Sequence, residues 1–170
     1  MLQRVVIAIA LAAQPKLIIA DEPTTALDVT VQAQILRLME EVVKKHRAAL
    51  ILITHDLAVV ANLTQRVAVM YCGKIVEEGP TEEVVNSPLH PYTRGLLYSI
   101  PSLTKKRADG KVARLPQIPG VVPSLLNLPS GCAFSPRCHE AAGAGENCAD
   151  EAPPVRSVGN GRRVACHYAG

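Results

Sequence analysis

In Leu17-Ile18-Ile19-Ala20-Asp21-Glu22-Pro23-Thr24, a short apolar run ends in two adjacent carboxylates. We interpret Lys16 to Ala20 as a buried strand and the similar apolar run Ala49 to Ile53 as a second strand. Continuous apolar runs of this length are typical of parallel strands that are covered on both faces. The carboxylates then stand at the carboxyl end of a strand, where α/β proteins place their ligands.

The segment between the two runs has the pattern of an amphipathic helix. Its apolar residues recur at helical spacing, at Val31, Ile35, Leu38, Met39 and Val42. Asp28 is well placed to cap this helix at its N-terminus. A strand, a helix and a second strand predict an α/β fold with a parallel pair of strands.

The rest of the first hundred residues continues the alternation of apolar and amphipathic runs. We expect Met1 to Ala10 to form a buried helix rather than a signal peptide. The strands Arg66 to Tyr71 and Ile75 to Glu78 are predicted to form a hairpin through a glycine-containing turn. Helices are predicted at Thr81 to Asn86 and Tyr92 to Ser99.

The composition limits the classes of partner. The 170-residue chain is 48% apolar and 19% charged, which is the balance of a globular protein. Its net charge of +3 and its aromatic content of 3% argue against nucleic acid as a partner. No apolar run reaches the roughly 18 residues that a membrane-spanning helix needs.

The chain changes character near residue 100, after which it is rich in proline and glycine and lacks periodicity. Four of its five cysteines lie in this tail, at Cys132, Cys138, Cys148 and Cys166. A loop-rich tail buries little apolar surface, so we expect it to need a crosslink or a metal. Four thiolates suit an iron–sulfur cluster or zinc, whereas disulfides are disfavoured in a reducing cytosol.

The adjacent carboxylates Asp21 and Glu22 have the chemistry that phosphoryl transfer needs. Successive side chains of an extended backbone point in different directions. One carboxylate can therefore hold Mg²⁺ while its neighbour orients the attacking water.

These motifs resemble those of ABC-type ATPases. The strand that leads to Asp21 and Glu22 resembles the Walker B motif. The D-loop is similar to Thr25-Ala26-Leu27-Asp28, and the segment of the switch histidine is similar to Ile53-Thr54-His55-Asp56. Order and spacing agree over residues 1 to 100. The resemblance implies a partial P-loop NTPase of the ABC type, with a parallel sheet and flanking helices, followed by a loop-rich, cysteine-containing C-terminal extension.

The resemblance also implies a role for each matching residue. Asp21 would help to hold Mg²⁺, Glu22 would polarise the attacking water, His55 would contact the γ-phosphate of ATP, and Asp28 would act across a dimer interface. Each residue has a simpler structural interpretation. Acidic residues at strand ends often cap helices, Asp28 can be an N-cap alone, and a single histidine is usually structural.

Other motifs of the family are absent from this sequence. The P-loop pattern G-x-x-x-x-G-K-[ST] does not occur, nor do the Gln-bearing loop and the Ser-Gly-Gly signature, which we expect to precede Met1. Because the P-loop supplies the phosphate cradle, we predict that the chain alone neither binds nor hydrolyses ATP with useful affinity. We also expect it to fold poorly by itself, since two or three parallel strands make a thin core with an exposed sheet edge.

The tail resembles the C-terminal extension of peptide-importer subunits. The similarity covers most of residues 87 to 168, with close matches at Ser87-Pro88-Leu89-His90-Pro91-Tyr92-Thr93-Arg94 and at Pro129-Ser130-Gly131-Cys132-Ala133-Phe134. It divides the chain into residues 1–86, the C-terminal portion of the ATPase domain, and residues 87–170, the extension. It implies a four-iron, four-sulfide cluster on the four cysteines, with zinc as the alternative, and oligopeptides or dipeptides as the transported substrates.

The resemblance implies partners as well. The intact subunit would pair head-to-tail with a second ATPase subunit around two ATP molecules, on the cytoplasmic face of membrane-spanning permease subunits. A peptide-binding protein would deliver the substrate. The alternative is a stand-alone metal-binding or regulatory module that kept the ABC scaffold without its catalysis.

Overall fold

The computed structural model describes residues 2–100, 117–141 and 147–169. The chain divides into two compact units, Met1–Asp56 and Leu57–Gly170. The family-based division after residue 86 stays a prediction, because a compact unit need not coincide with the limit of a homologous domain. Within the described residues, no helix is both long and apolar enough to cross a membrane.

The secondary structure alternates in the first unit and is mostly antiparallel in the second. The first unit contains α1 (Leu2–Ala12), β1 (Leu17–Asp21), α2 (Val29–His46) and β2 (Ala49–Ile53). The second contains α3 (Leu57–Leu63), β3 (Arg66–Tyr71), β4 (Lys74–Pro80), α4 (Thr81–Asn86), α5 (Pro91–Tyr98), a 3₁₀ turn (Ser135–Arg137), α6 (Asn147–Asp150), β5 (Arg156–Ser157) and β6 (Arg163–Val164).

The first unit is a β–α–β arrangement, as its periodicity predicts. Strands β1 and β2 are parallel, in a register that places Asp21 opposite Ile53. The Asp28 side chain accepts a hydrogen bond from the Val31 N–H at 2.9 Å and so caps α2, as expected. The helix ends at His46, and its C-cap residue, Arg47, has a left-handed φ of 51°. The prediction of an α/β fold with a parallel pair is confirmed.

Two burial predictions for this unit are wrong. The strands are covered on one face only, since exposed and half-buried residues alternate along both. Helix α1 forms where expected but is not buried, because Val5, Val6 and Ile9 are each more than half exposed. The sequence predicts apolar character correctly, but no described element of this unit packs over these surfaces.

The second unit is built on a sheet with strand order β3-β4-β6-β5. The predicted hairpin is confirmed, and β4 extends further than expected, to Pro80. Its turn requires left-handed backbone at two successive residues, Cys72 with φ of 47° and Gly73 with φ of 77°. A glycine at the second position relieves this strain.

The core of the second unit combines the hairpin and the tail. Its buried members are Val69, Tyr71, Val76, Val84 and Phe134. The Phe134 ring lies 5.3 Å from that of Tyr71, nearly perpendicular to it. The tail therefore shares the core of the hairpin.

Candidate functional sites

The carboxylate edge of the first unit forms at the carboxyl ends of β1 and β2. Glu22 follows β1 with a left-handed φ of 46° and donates its N–H to the Ile53 carbonyl at 2.9 Å. Its Oε1 lies 2.9 Å from Nδ1 of His55, and its Oε2 accepts a hydrogen bond from the Thr25 hydroxyl at 2.8 Å. Both oxygens of the carboxylate are thus fixed in direction.

The Glu22–His55 contact stabilises the charged form of each side chain. The hydrogen bond with His55, followed by the one from Thr25, lowers the pKa of the Glu22 carboxyl. The same bond with Glu22 raises the pKa of His55. Both groups are accessible to solvent, with side-chain exposures of 39% and 82%. Solvent screening therefore keeps the energy of this pair small.

The other two predicted residues of the edge are Asp21 and Asp28. Asp21 is the last residue of β1 and lines, with Glu22, an apolar cavity of about 400 Å³ between α1, β1 and α2. Asp28 is occupied as the N-cap of α2, the simpler interpretation of this residue. The sequence analysis did not identify the Thr25 hydroxyl as a hydrogen-bond donor to Glu22. A threonine three residues after a carboxylate in a turn could have indicated this bond.

The second unit contains a pocket that collects all four tail cysteines. This cysteine pocket is lined by Cys132, Cys138, Cys148, Cys166, His90, Pro91, Phe134, Ser135, Glu140, His167 and Tyr168. None of the cysteines forms a disulfide. The four thiols come from separate turns of the tail, so their convergence is a product of the fold and not of local spacing.

Cysteine thiolates are suitable ligands for a soft metal, but as placed these four thiols do not form a metal-binding group. Burial raises the pKa of the thiols of Cys132, Cys138 and Cys148. A metal would have to displace their protons, because thiolates are the ligands. As placed, no three His, Cys, Asp or Glu side chains in the described ranges form a group that could hold a metal ion. Binding would therefore require the thiols to turn toward a common centre.

Backbone hydrogen bonds hold the walls of the cysteine pocket together. The N–H of Cys132 donates to the carbonyl of Cys148 at 2.9 Å. A Cβ atom at Gly131 would collide with the backbone at Cys148 and Ala149, so this close approach requires glycine. The Arg156 guanidinium donates to the Cys166 carbonyl at 2.7 Å.

His90 is the most deeply buried polar residue of the pocket, at 1% exposure. Its Nδ1 accepts the Tyr92 N–H at 3.1 Å and caps α5. Burial lowers the pKa of His90 to about 4, so the ring is neutral at physiological pH. Sequence reasoning did not assign His90 to the site. His167, which follows Cys166 in the sequence, also lines the pocket.

A buried ion pair ties the tail to the hairpin beside this pocket. Glu77 is fully buried and accepts hydrogen bonds from the backbone N–H groups of Leu89 and His90, each at 2.9 Å. The Arg162 guanidinium donates to Glu77 at 2.8 Å and to the Ser87 carbonyl at 2.6 Å. The pair fixes both the turn that leads into His90 and the strand that leads to Cys166.

Comparison with known proteins defines the class of this chain. Residues 76–145 match the family model "Oligopeptide/dipeptide transporter, C-terminal region". The chain is 50% identical over 166 residues to the oligopeptide transport ATP-binding protein AppD of Bacillus subtilis, an alignment that covers 98% of this chain. It is 46% identical over 168 residues to the dipeptide transport ATP-binding protein DppD of Escherichia coli, covering 99% of this chain.

The chain thus belongs to the family of oligopeptide and dipeptide transporter ATP-binding proteins, and it corresponds to their C-terminal part. It spans about half the length of the relatives it matches, 48% of the B. subtilis protein and 49% of the E. coli protein. The sequence-based recognition of the family is confirmed.

Proposed function

We propose that this chain provides the C-terminal part of the ATP-hydrolysing, energy-coupling subunit of a peptide-importing ABC transporter. The observation that carries the proposal is the 2.9 Å contact of Glu22 with His55 at the carboxyl edge of a parallel strand pair. The names of the relatives, which are ATP-binding proteins for oligopeptide and dipeptide transport, support it.

In this proposal each residue of the carboxylate edge has one task. Glu22 polarises the attacking water, a task for a carboxylate whose two oxygens are fixed in direction. Asp21, beside it, helps to hold Mg²⁺, and His55 contacts the γ-phosphate of ATP. Asp28 acts across the interface with a second ATPase subunit while it caps α2.

The strand pair β1–β2 would belong to a larger parallel sheet of the P-loop type, and the phosphate cradle would come from residues outside this sequence. No P-loop pattern occurs in the 170 residues. We therefore propose that the chain alone neither binds nor hydrolyses ATP. Calorimetric titration with ATP and Mg²⁺ tests this point, and stoichiometric binding would contradict it.

A hybrid protein tests the catalytic assignment directly. Joining the N-terminal half of the E. coli relative to this chain should restore ATP hydrolysis. Glu22→Gln should then lower the rate at least about 100-fold, because general base catalysis typically contributes that much. Glu41→Gln, on the exposed side of α2, is the matched control and should leave the rate unchanged. Equal rates for the two variants would refute the role of Glu22.

The proposed partners follow from the same function. The complete subunit would pair head-to-tail with a second ATPase subunit and lie on the cytoplasmic face of the membrane, against permease subunits. A peptide-binding protein would supply oligopeptides or dipeptides to the permease. Nucleic acid is not among the proposed partners, in keeping with the low net charge of +3.

A second function is proposed for the cysteine pocket. Its four free thiols support binding of a soft metal, and the family resemblance favours a four-iron, four-sulfide cluster over zinc. Such a group would crosslink the turns of the tail through Cys132, Cys138, Cys148 and Cys166. This pocket also carries the alternative function, a metal-binding or regulatory module without catalysis.

Anaerobic purification with metal and sulfide analysis tests the pocket. About four iron and four sulfide per chain would support the cluster, and Cys132→Ser should then reduce the iron content. Cys72→Ser is the control, since Cys72 packs against the core outside the pocket. One zinc per chain would favour the alternative metal, and no metal in the folded protein would refute both.

A further inference from the structure

Thr25 closes the turn that follows β1 and binds Glu22 twice. Its backbone N–H donates to the Glu22 carbonyl at 3.2 Å, and its hydroxyl donates to Oε2 of the Glu22 side chain at 2.8 Å. The left-handed φ of 46° at Glu22 is a conformation that residues other than glycine keep where the surrounding structure fixes it. Thr25 therefore holds both the main chain and the carboxylate of Glu22.

The two oxygens of the Glu22 carboxylate are held from different parts of the chain. Oε1 contacts Nδ1 of His55, which is 33 residues away and has a side-chain exposure of 82%. Oε2 is bound by Thr25, three residues away in the same turn. The bond from Thr25 is thus the local one, and it does not require His55 to stay in place.

The proposed function gives His55 another partner, the γ-phosphate of ATP. An accessible pair can exchange its hydrogen bond for one to a ligand at low cost. Oε1 of Glu22 then becomes free to accept a hydrogen bond from water, while Oε2 stays bound to the Thr25 hydroxyl. The carboxylate keeps its direction through the exchange because one of its two bonds lies within the turn.

We propose that Thr25 is a positioning residue for ATP hydrolysis, whose hydroxyl holds Oε2 of Glu22 so that Oε1 faces the attacking water when His55 engages the γ-phosphate. The inference rests on the proposed function of the carboxylate edge. Thr25 acts through Glu22 and contacts neither the water nor the nucleotide in this role. It supplies orientation, which is a large part of what a reacting group needs.

Two substitutions separate the hydroxyl of Thr25 from its shape. Thr25→Val replaces the hydroxyl by a methyl group and removes the donor, whereas Thr25→Ser keeps the hydroxyl and removes the methyl group. The backbone bond to the Glu22 carbonyl can form in both variants. A purely structural role in the turn depends on that backbone bond, whereas the proposed role depends on the hydroxyl.

The rate of ATP hydrolysis is measured in the hybrid of this chain with the N-terminal half of the E. coli relative. Thr25→Val should lower kcat about 10-fold at an unchanged KM for ATP, because misplacement of a reacting group can cost up to about 100-fold. Thr25→Ser should keep the wild-type rate, as should Thr30→Val, the control at an exposed threonine of α2. A wild-type kcat in Thr25→Val, or equal losses in Thr25→Val and Thr25→Ser, would overturn the proposal.

Glu22→Gln in the same hybrid distinguishes this proposal from the one on which it rests. If Glu22→Gln lowers the rate and Thr25→Val does not, the role of Thr25 is refuted and that of Glu22 stands. If Glu22→Gln has no effect, the proposed function of the carboxylate edge fails, and the role of Thr25 fails with it.

An NMR titration of the 170-residue chain tests the contact in the absence of ATP. The hydrogen bond with His55 and, after it, the one from Thr25 lower the pKa of the Glu22 carboxyl. Thr25→Val should therefore raise this pKa, and Thr25→Ser should leave it near the wild-type value. If the hybrid is inactive, this titration decides. A raised pKa in Thr25→Val alone supports the proposal, and an unchanged one refutes it.

Discussion

The carboxylate edge of Met1–Asp56 and the cysteine pocket of Leu57–Gly170 differ in how their side chains are held. Glu22 and His55 are accessible to solvent and have each other and Thr25 as partners. His90 and Glu77 are buried, and backbone groups and an arginine fix them. An accessible pair can exchange its partners for a ligand at low cost, whereas a buried one is preorganised for a single arrangement.

The largest expected effect is the loss of the buried ion pair. Arg162→Met leaves the Glu77 carboxylate buried without a cation, which should destabilise the second unit by about 3–5 kcal/mol. Urea unfolding followed by tyrosine fluorescence measures this loss of stability, because all four tyrosines lie in Leu57–Gly170. Arg163→Met, which removes the more exposed pair with Glu78, is the control and should cost less than about 1 kcal/mol. Equal losses would contradict the distinction.

Truncation of apolar side chains compares the two units next. Phe134→Ala should destabilise the second unit by about 3 kcal/mol, since the ring is buried among Tyr71 and Tyr92. Ile9→Ala, on the exposed face of α1, should change stability by no more than about 0.5 kcal/mol. Urea unfolding followed by circular dichroism measures both. A comparable loss at Ile9 would mean that this face is covered in solution.

A smaller effect is expected at the cap of α2. Asp28→Ala removes the acceptor of the Val31 N–H and should destabilise the helix by about 1 kcal/mol. Asp28→Asn keeps an acceptor and should retain most of that stability. Thermal unfolding followed by circular dichroism distinguishes them. If both variants are as stable as the wild type, the cap does not contribute.

The smallest expected effect is electrostatic. Because Glu22 raises the pKa of His55 above its ordinary 6.5, Glu22→Gln should return it toward that value, as an NMR titration of the imidazole would show. The raised pKa stabilises the folded state below the ordinary value, and this contribution is lost as pH rises through the folded pKa. The lowered pKa of Glu22 stabilises the folded state above the ordinary pKa of a glutamate. This contribution is lost as pH falls through the folded pKa. An unchanged His55 pKa in the variant would refute the contact.

The sequence predicts the elements of this fold well because most of them carry local periodicity. The strands Ala49–Ile53 and Arg66–Tyr71 and the helix Thr81–Asn86 have the predicted limits. Strands β5 and β6 could not be predicted, since two residues are too few for a pattern. Their pairing depends on contacts with β4 and with each other.

Site residues were predictable from the sequence where a recognisable motif directly follows a predicted strand. Glu22 and His55 follow two adjacent strands, and the structure brings them together. Glu77 and Glu78 are adjacent acids in one strand, yet Glu77 is fully buried while Glu78 is not. Alternation along a strand allows this difference, but composition alone argues against burying a charge. The partner that permits it, Arg162, is 85 residues away.

The distance between Glu77 and Arg162 along the chain has a consequence during protein synthesis. At about 5–20 residues per second, the ribosome needs roughly 4–17 seconds to extend the chain by the 85 residues from Glu77 to Arg162. Through that interval the edge of β4 that later pairs with β6 has no strand beside it, and the Glu77 carboxylate has no cation. The nascent hairpin is thus exposed to edge-to-edge association until the last residues emerge.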